Sequence, residues 1–161
     1  ANEKKLLDAL DKQGLSTKDI DAIFLTHYHP DHVLNIRLFP GIPIYDGSYC
    51  WSDDAEYPYT EIIPGTNIKL LVTPGHADEH CSLLIETNKG IVCIAGDVFW
   101  WRDEETPQYD EISLLNHPDP YANNFSLLQK SRKLVLASAT TIIPGHGKPF
   151  KVIENHHKPY L

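Results

Sequence analysis

The chain has 161 residues, which is enough for one domain with a sizeable hydrophobic core. Acidic residues outnumber basic ones by 22 to 14, and the resulting net charge of −8 argues against broad electrostatic binding to a nucleic-acid backbone. No apolar run approaches the roughly 18–20 residues needed to cross a bilayer, so we expect a soluble protein with no membrane partner.

The first part of the chain predicts two helices and a short buried strand. Leucines at helical spacing predict a helix over residues 3–13, and Ser16 with Asp19 resembles a capping box. The apolar run 22–26 predicts a strand that ends directly before a cluster of histidines. A second helix is expected over 32–39, because a Pro-Gly pair follows and would stop it.

The rest of the chain predicts strands that alternate with helices and also form a hairpin. The predicted strands are 42–45, 61–63, 68–73, 81–87, 91–97 and 140–143. An Asn-Lys-Gly turn after 81–87 indicates a hairpin. The aromatic, acidic and Pro-rich segment 98–122 predicts a long surface loop. An amphipathic helix is expected over 123–138, with its basic residues, Arg132 among them, on a solvated face. This mixture predicts a layered α/β (α+β) fold.

Histidine and aspartate side chains follow four of the predicted strands, at the point where each strand ends. The first strand is followed by the motif THYHPDH, and later strands by Gly-His, Gly-Asp and Gly-His in that order. The candidate metal ligands are therefore His27, His29, Asp31, His32, His76, Asp97 and His146. Because sites in α/β sheets assemble at strand ends, we expect these side chains to converge.

The chemistry of this set predicts a site for two divalent metal ions. Neutral imidazole and carboxylate suit zinc, with iron or manganese as alternatives. Seven ligands are too many for one tetrahedral ion, whereas two ions about 3.5–4 Å apart would use them, with an aspartate between the ions in contact with both. A water shared by the pair would become a nucleophile near neutral pH, and the cations would stabilise the charge that develops in the reaction.

Each of these residues taken alone also has an ordinary explanation. A histidine after a strand is usually a surface or hydrogen-bonded side chain, and an aspartate after glycine often caps a turn. Four histidines lie outside the pattern. His80 is either a group that supports the site or a surface residue, and His117 is either a general acid above the metals or an ordinary loop residue. His156 and His157 are expected to be exposed to solvent.

Two tryptophans and three cysteines are explained most simply by packing. Trp100 and Trp101 follow the predicted ligand Asp97 and could line a substrate groove, although an ordinary core role explains them more simply. The cysteines are Cys50, Cys81 and Cys93, an odd number with no C-x-x-C spacing. This count predicts free thiols, buried in the case of the last two, and a reducing intracellular setting.

The motifs THYHPDH, PGH, GD and PGHG together resemble, in this order, the metal-binding motifs of the metallo-β-lactamase fold superfamily. The resemblance implies an αβ/βα sandwich with the metal site at one edge. It implies that one metal would be held by His27, His29 and His76, and the other by Asp31, His32 and His146, with Asp97 bridging them. It also implies a dinuclear metal-dependent hydrolase.

A narrower resemblance covers residues from about 20 to 153. Segments such as VTPGHADEHCSLLI, AGDVFWWRDEE and SRKLVLASATTIIPGHGKPFKV are similar to a branch of the superfamily associated with zinc-dependent RNA hydrolysis, including 3′ processing of histone pre-mRNA. This likeness implies an endoribonuclease that acts on RNA in the cytoplasm and also in the nucleus. In that reading Asp31 is catalytic, because it orients the attacking water while it also binds metal.

The start of the chain departs from the superfamily pattern. Such chains normally begin with a strand pair and an Asp-containing turn, whereas this one opens on ANEKKLLDAL, read as the first helix. We therefore expect one metallo-β-lactamase-type domain over 1–161 that is incomplete at its N-terminus. Sheet edges left bare by such a loss would favour pairing with a second copy, so a homodimer is expected.

Two other functions remain open on the sequence alone. A thioester hydrolase of the glyoxalase II type shares the same ligand pattern, although the C-terminal helical region of such enzymes is not found here. A zinc-binding fragment without catalysis is the alternative outside the enzymes, and in it the metal would contribute folding energy.

Overall fold

The computed structural model describes residues 2–59 and 61–153. The N-terminal helix α1 spans Glu3–Asp11, and the Asn2 side chain caps it by accepting a hydrogen bond from the Lys5 backbone N–H at 3.0 Å. The helix is two residues shorter than predicted. The predicted capping box is confirmed around a 3-10 turn, Thr17–Asp19, where the Ser16 N–H donates to Asp19 at 2.8 Å.

The first sheet contains four short strands in the order β1-β2-β3-β4. They are β1 Ile23–Phe24, β2 Ile44–Tyr45, β3 Tyr49–Ser52 and β4 Ala55–Pro58. The pair β1–β2 is parallel and the other two pairs are antiparallel. The predicted strand 22–26 is therefore real but shorter, and the β3–β4 hairpin was not predicted. Asp53 and Asp54 form its turn with φ of 50° and 64°, the left-handed pair that tight hairpins use.

A short helical segment connects β1 to β2. Helix α2 spans Pro30–Val33, and a 3-10 helix, Leu34–Leu38, continues it. The predicted helix over 32–39 thus begins two residues earlier and tightens at its second turn. Pro30 explains the early start, because its fixed φ and missing N–H suit the first position of a helix.

The second sheet contains five strands in the order β5-β6-β7-β8-β9. They are β5 Lys69–Val72, β6 Cys81–Thr87, β7 Gly90–Trp100, β8 Thr141–His146 and β9 Phe150–Lys151. Only β7 and β8 pair in parallel within the described sheet. The predicted hairpin is confirmed as β6–β7. The predicted strand 61–63 is reduced to one bridge between Ile62 and Lys69.

Two sequence predictions near the site are wrong. The segment 98–122 is not one long loop, because its first three residues continue β7 and helix α3 occupies Glu111–Asn116. Burial explains the longer strand, since Val98 and Phe99 are almost fully buried in the core. The predicted strand 140–143 ends too early, because β8 begins at Thr141 and continues through Pro144, Gly145 and His146, beside irregular register in β7.

Helix α4, Phe125–Ser138, supplies the inner face of the main core. Its residues Leu128 and Val135 have no exposed surface and pack with Cys93 and Ile142 of the second sheet. The prediction of a solvated basic face is wrong for Arg132, which is fully buried. Its Nε donates to the Val98 carbonyl at 3.0 Å, so main-chain acceptors replace water around this cation.

The two sheets with their helices confirm the predicted layered α/β fold class. The Cys81 N–H of β6 donates to the Thr26 carbonyl just after β1 at 2.9 Å and so ties the two sheets together. In the part of the chain that the structure describes, no helix has the length and apolar character to cross a membrane.

Candidate metal centre

Six of the seven predicted ligands lie at or beyond the ends of strands or in the short helix α2, whereas Asp97, predicted to follow a strand, lies within one. His27 and His29 follow β1, and His29 is the residue directly before α2, so that Asp31 and His32 fall in the first turn of that helix. The other three come from the second sheet and its connections: His76 lies between β5 and β6, Asp97 lies in β7 and His146 ends β8. The structure brings all seven together in two adjoining sets.

The inner set consists of His27, His29, His76 and Asp97, whose candidate ligand atoms all lie within 4.8 Å of one another. The Nδ1 atom of His29 lies 3.2 Å from Nε2 of His27 and 3.0 Å from Nε2 of His76. Nitrogens bound 2.0–2.1 Å from a tetrahedral ion lie about 3.3 Å apart, so these spacings suit one metal ion. His27 and His76 are each only 1% exposed.

The outer set consists of Asp31, His32 and His146. The Oδ2 atom of Asp31 lies 3.0 Å from Nε2 of His146 and 3.6 Å from Nε2 of His32. The side chains of Asp31 and His146 are each 45% exposed, compared with 18% for His32. The outer set therefore offers three converging ligands, compared with four in the inner set, and it is in contact with solvent.

Asp97 stands between the two sets. Its Oδ2 lies 3.5 Å from Nε2 of His76, while its Oδ1 lies 3.3 Å from Nε2 of His32. The His32 nitrogen and the Asp97 Oδ1 are buried and make no hydrogen bond within the described residues. Because an unsatisfied buried polar pair is costly, these two atoms fit the role of ligands to a cation.

The protonation states of the inner set also suit a metal. Burial, reinforced by the neighbouring His32, lowers the pKa of His27 to about 3, so its imidazole is neutral at pH 7. Burial alone would raise the pKa of Asp97, but the surrounding histidines, His32 above all, lower it overall. The pKa of His32 is raised, because the nearby carboxylates of Asp97 and Asp31 outweigh its burial. Neutral imidazole and ionised carboxylate are the forms that bind metal.

Two of the inner histidines are oriented by a hydrogen bond at the ring nitrogen that faces away from the site. His27 Nδ1 lies 3.0 Å from the hydroxyl of Thr26, and His76 Nδ1 lies 2.7 Å from a carboxylate oxygen of Asp119. Such partners fix the ring and aim the other nitrogen at the metal. Sequence reasoning missed Asp119, which is 43 residues from His76 in the chain. The one feature of the sequence that could have drawn attention to Asp119 is its position between two prolines.

His80 supports the site from below without joining either set. It is fully buried, and its Nε2 accepts a hydrogen bond from the Asp97 backbone N–H at 3.2 Å. Its Nδ1 lies 2.9 Å from the Thr73 hydroxyl, which lies 2.8 Å from the hydroxyl of Ser82. Burial lowers the pKa of His80 to about 3, so the ring is neutral. Of the two roles open for His80, the structure favours the supporting one.

Two glycines of the motifs are required by close packing. A Cβ on Gly145 would lie 1.8 Å from Oδ1 of Asp97, so only glycine leaves room for the carboxylate. Gly75 has a φ of 128°, and a Cβ there would lie 2.2 Å from the backbone nitrogen of Leu128. Gly145 is therefore needed because the chain passes close to the candidate ligand Asp97, and Gly75 is needed because the chain passes close to helix α4.

A cavity of about 510 Å³ opens over the candidate ligands. Its lining residues are His29, Pro30, Asp31, His76, Asp97, Trp100, Trp101, Arg102, Asp103, Tyr121 and His146. The two tryptophans combine both predicted roles, because they line the cavity and are 8% and 5% exposed. His117 is not in this lining within the described chain, and its Nε2 lies 3.8 Å from Glu105 instead. His156 and His157 lie outside the described residues.

Comparison with known proteins agrees with this geometry. The profile of the metallo-beta-lactamase superfamily matches residues 1–66. Metallo-beta-lactamase domain-containing protein 1 of Mus musculus is 33% identical over 92% of this chain, and that of Xenopus laevis is 36% identical over 93%. A metallo-beta-lactamase domain is therefore found in this chain. It spans 56% and 64% of the length of these two relatives.

Two solved structures with a similar fold each carry a pair of metal ions. TTHA1623, solved in a di-iron-bound form, has a TM-score of 0.61 and 21% identity, covering all of this chain and 86% of its own. AidC, a dizinc quorum-quenching lactonase, has a TM-score of 0.59 and 17% identity, covering 87% of this chain and 62% of its own. Superfamily members are metal-dependent hydrolases, and the cluster here suits two metal ions.

Proposed function

We propose that this protein binds two divalent metal ions, with zinc as the first choice, and hydrolyses phosphodiester bonds in RNA. The observation that carries the metal part is Asp97, whose two carboxylate oxygens face two separate sets of converging ligands. Imidazole-rich sets of this kind favour zinc over harder cations, and iron or manganese would fit the same ligands less selectively.

The candidate ligands have different proposed roles. The inner set would hold one ion and the outer set the other, with Asp97 contributing to both. Two such ions supply an activated water and offset the negative charge that develops on the group under attack. Asp31 is the proposed catalytic residue: it lies at the cavity, half exposed, where a carboxylate oxygen can orient the attacking water.

The cavity walls support a phosphodiester substrate. Arg102 is the only lysine or arginine among the described residues that line it, and a guanidinium binds phosphate oxygens in a two-pronged manner. The rings of Trp100 and Tyr121 lie 5.7 Å apart beside the ligands, and Tyr121 is 62% exposed. An exposed aromatic ring beside the scissile bond suits stacking of an unpaired base.

Ester hydrolysis is the second candidate function. An N-acyl homoserine lactonase of Bacillus cereus is 26% identical over 89% of this chain, and a hydroxyacylglutathione hydrolase of Francisella philomiragia is 30% identical over 55%. The cavity also carries Asp31 and Asp103, and the whole chain has a charge of −8, which disfavours a polyanion and favours a small lactone or thioester.

The test is hydrolysis by zinc-loaded protein of labelled single-stranded RNA, a thioester and a lactone in parallel. Asp97→Ala is the test variant. Asp103→Ala is the matched control, because Asp103 lines the same cavity but belongs to neither set. RNA cleavage that Asp97→Ala abolishes and Asp103→Ala retains would support the nuclease. Turnover of an ester alone would move the assignment to the second candidate. A folded, zinc-loaded protein that turns over none of the three would instead be a binding module.

A further inference from the structure

The loop that carries His76 is held along its main chain by a segment that runs from just before helix α4 to the middle of that helix. Three successive carbonyls, those of Pro74, Gly75 and His76, each accept a hydrogen bond from this segment. The donors are the Ser131 hydroxyl at 2.6 Å, the Asn124 N–H at 2.9 Å and the Asn123 N–H at 3.1 Å, respectively. The backbone of His76 is therefore held by hydrogen bonds that do not depend on its side chain.

The side chain of His76 is held by Asp119, which lies just upstream of Asn123. Oδ2 of Asp119 lies 2.7 Å from Nδ1 of His76, and the two side chains are 0% and 1% exposed. The other oxygen of Asp119 accepts a hydrogen bond from the Tyr121 N–H at 3.0 Å, which fixes the carboxylate plane. Because an ionised carboxylate only accepts hydrogen bonds, Nδ1 of His76 must carry the proton.

That tautomer leaves the lone pair of His76 on Nε2. This atom lies 3.0 Å from Nδ1 of His29 and 3.5 Å from Oδ2 of Asp97, in the middle of the inner set. With the proton on Nε2 instead, the ring would present an N–H to the position of the metal and could not bind it. The hydrogen bond at Nδ1 of His76 therefore determines whether Nε2 can bind a metal ion.

Asp119 is itself anchored to the core through its neighbours. The buried Arg132 donates from Nη1 to the carbonyls of Leu115 at 3.2 Å and His117 at 2.6 Å, directly ahead of Asp119. The guanidinium lies over the rings of Phe99 and Phe125, 5.9 and 5.6 Å from their centroids. A rigid cation in the core therefore fixes the loop from which Asp119 reaches the site.

We propose that Asp119 is a positioning residue that holds His76 in its metal-binding tautomer. The proposal rests on the proposed metal site but not on its substrate. Asp119 orients a candidate ligand and belongs to neither set. Its removal should weaken the inner site and leave the outer site intact, because the outer ligands have no contact with it.

The test combines metal affinity with direct observation of the tautomer. The affinity of the inner set for zinc, measured on the whole chain by competition with a chromophoric chelator, should fall about 10–100-fold in Asp119→Ala. Asp103→Ala is the control, since it removes a carboxylate from the same cavity and should leave the affinity unchanged. Asp119→Asn keeps an acceptor of the same shape without the charge, so its affinity should lie between those of wild type and Asp119→Ala.

The tautomer is read in metal-free, ¹⁵N-histidine-labelled protein by long-range ¹H–¹⁵N correlation, with His76→Gln used to assign the signal. Wild type should show the proton on Nδ1 of His76, and Asp119→Ala should show a mixture. This readout separates a positioning role from a general loss of stability. An unchanged tautomer in both Asp119 variants, with unchanged zinc affinity, would overturn the proposal.

The outcomes also separate this proposal from the proposed function. Suppose that wild type shows the Nδ1–H tautomer of His76, that Asp119→Ala does not, and that wild type binds no zinc. That result would support the hydrogen bond between Asp119 and His76 but contradict the proposed metal site. If Asp119→Ala does not fold, the Asn variant carries the same two measurements. If Asp119→Asn shows the zinc affinity, the His76 tautomer and the hydrolysis rate of wild type, then the negative charge of Asp119 is not needed to hold His76.

Discussion

The inner and outer sets use the same kinds of side chain in different surroundings. His27 and His76 of the inner set are almost fully buried, and each has a hydrogen-bond partner behind the ring. In the outer set Asp31 and His146 are each 45% exposed, lie 3.0 Å apart and line the cavity. One half of the centre is built into the core, and the other half faces the solvent.

The difference indicates a division of labour. Ligands that are fixed before the metal arrives lose little conformational freedom on binding, so the inner set should bind its ion more tightly. An ion with fewer rigid protein ligands keeps positions open for water and substrate, as catalytic sites require. We therefore expect the first ion to stabilise the site and the second, outer ion to be the one that exchanges more readily.

The largest effect is expected where the two sets meet. Asp97→Ala removes the one carboxylate that faces both sets, so hydrolysis should fall by about 1,000-fold or more. The number of zinc ions bound per chain should also fall below two. The measurements are initial rates at saturating zinc and metal content after gel filtration. Wild-type rates in a variant that has lost an ion would contradict the role given to Asp97.

A pair of single-ligand variants separates the sets. His76→Ala should lower the affinity for the first zinc ion by about 100-fold, because a buried ligand with its own partner is lost. His146→Ala should leave that affinity within a few-fold of wild type and weaken only the second ion. Chelator competition on both variants gives the comparison. Equal loss at the first site in both would show that the sets bind as one unit.

Gly145→Ala tests the space that Asp97 needs. The added Cβ would lie 1.8 Å from Oδ1 of Asp97, so the free energy of unfolding should fall by about 1–3 kcal/mol. In the Asp97→Ala background the same change should cost much less, because the clashing carboxylate is absent. Urea denaturation of the four proteins measures both costs. Equal costs in the two backgrounds would place the strain elsewhere.

The stability of the metal-free protein should also depend on pH. His27 and His80 both have a pKa of about 3 in the folded protein, compared with an ordinary value of 6.5. Below pH 6.5 the unfolded chain binds their protons and the folded chain does not, so stability falls as the pH falls from 6.5 towards 3. Each histidine contributes about 1.4 kcal/mol per pH unit, and the raised pKa of His32 offsets part of this loss.

Urea denaturation of metal-free protein at pH 7, 6 and 5 measures this slope. His80→Gln, which cannot be protonated, should make the slope shallower by about one proton. The variant should keep the sign of the trend, because His27 remains. A stability that rises towards pH 5, or a slope unaffected by His80→Gln, would contradict the burial of neutral histidines beneath the site.

The candidate ligands could be found from the sequence because each lies next to a strong local signal. The motif THYHPDH follows an apolar strand and contains Pro30, which fixes the start of α2 and so places Asp31 and His32 beside His29. The Gly-His pairs likewise lie after β5 and at the end of β8, whereas the Gly-Asp pair lies within β7, which continues to Trp100. Short-range patterns of this kind survive without knowledge of the tertiary structure.

The contacts that support the ligands could not be found in that way. Asp119 reaches His76 across 43 residues, and no periodicity or spacing connects the two. Arg132 occupies a position that reads as part of a charged helix face, yet main-chain carbonyls and two aromatic rings make its burial favourable. The β3–β4 hairpin was missed because its turn uses Asp53 and Asp54 rather than the Asn-Gly pair typical of such turns.

The most direct test of a two-metal centre with unequal halves is the number of zinc ions per chain as free zinc is raised. Native mass spectrometry over a series of buffered zinc concentrations gives this count. We expect a first ion at low free zinc and a second ion at a distinctly higher concentration. A chain that takes up only one ion or none at saturating zinc would contradict the two-metal centre. Two ions that bind together in a single step would contradict the difference between its halves.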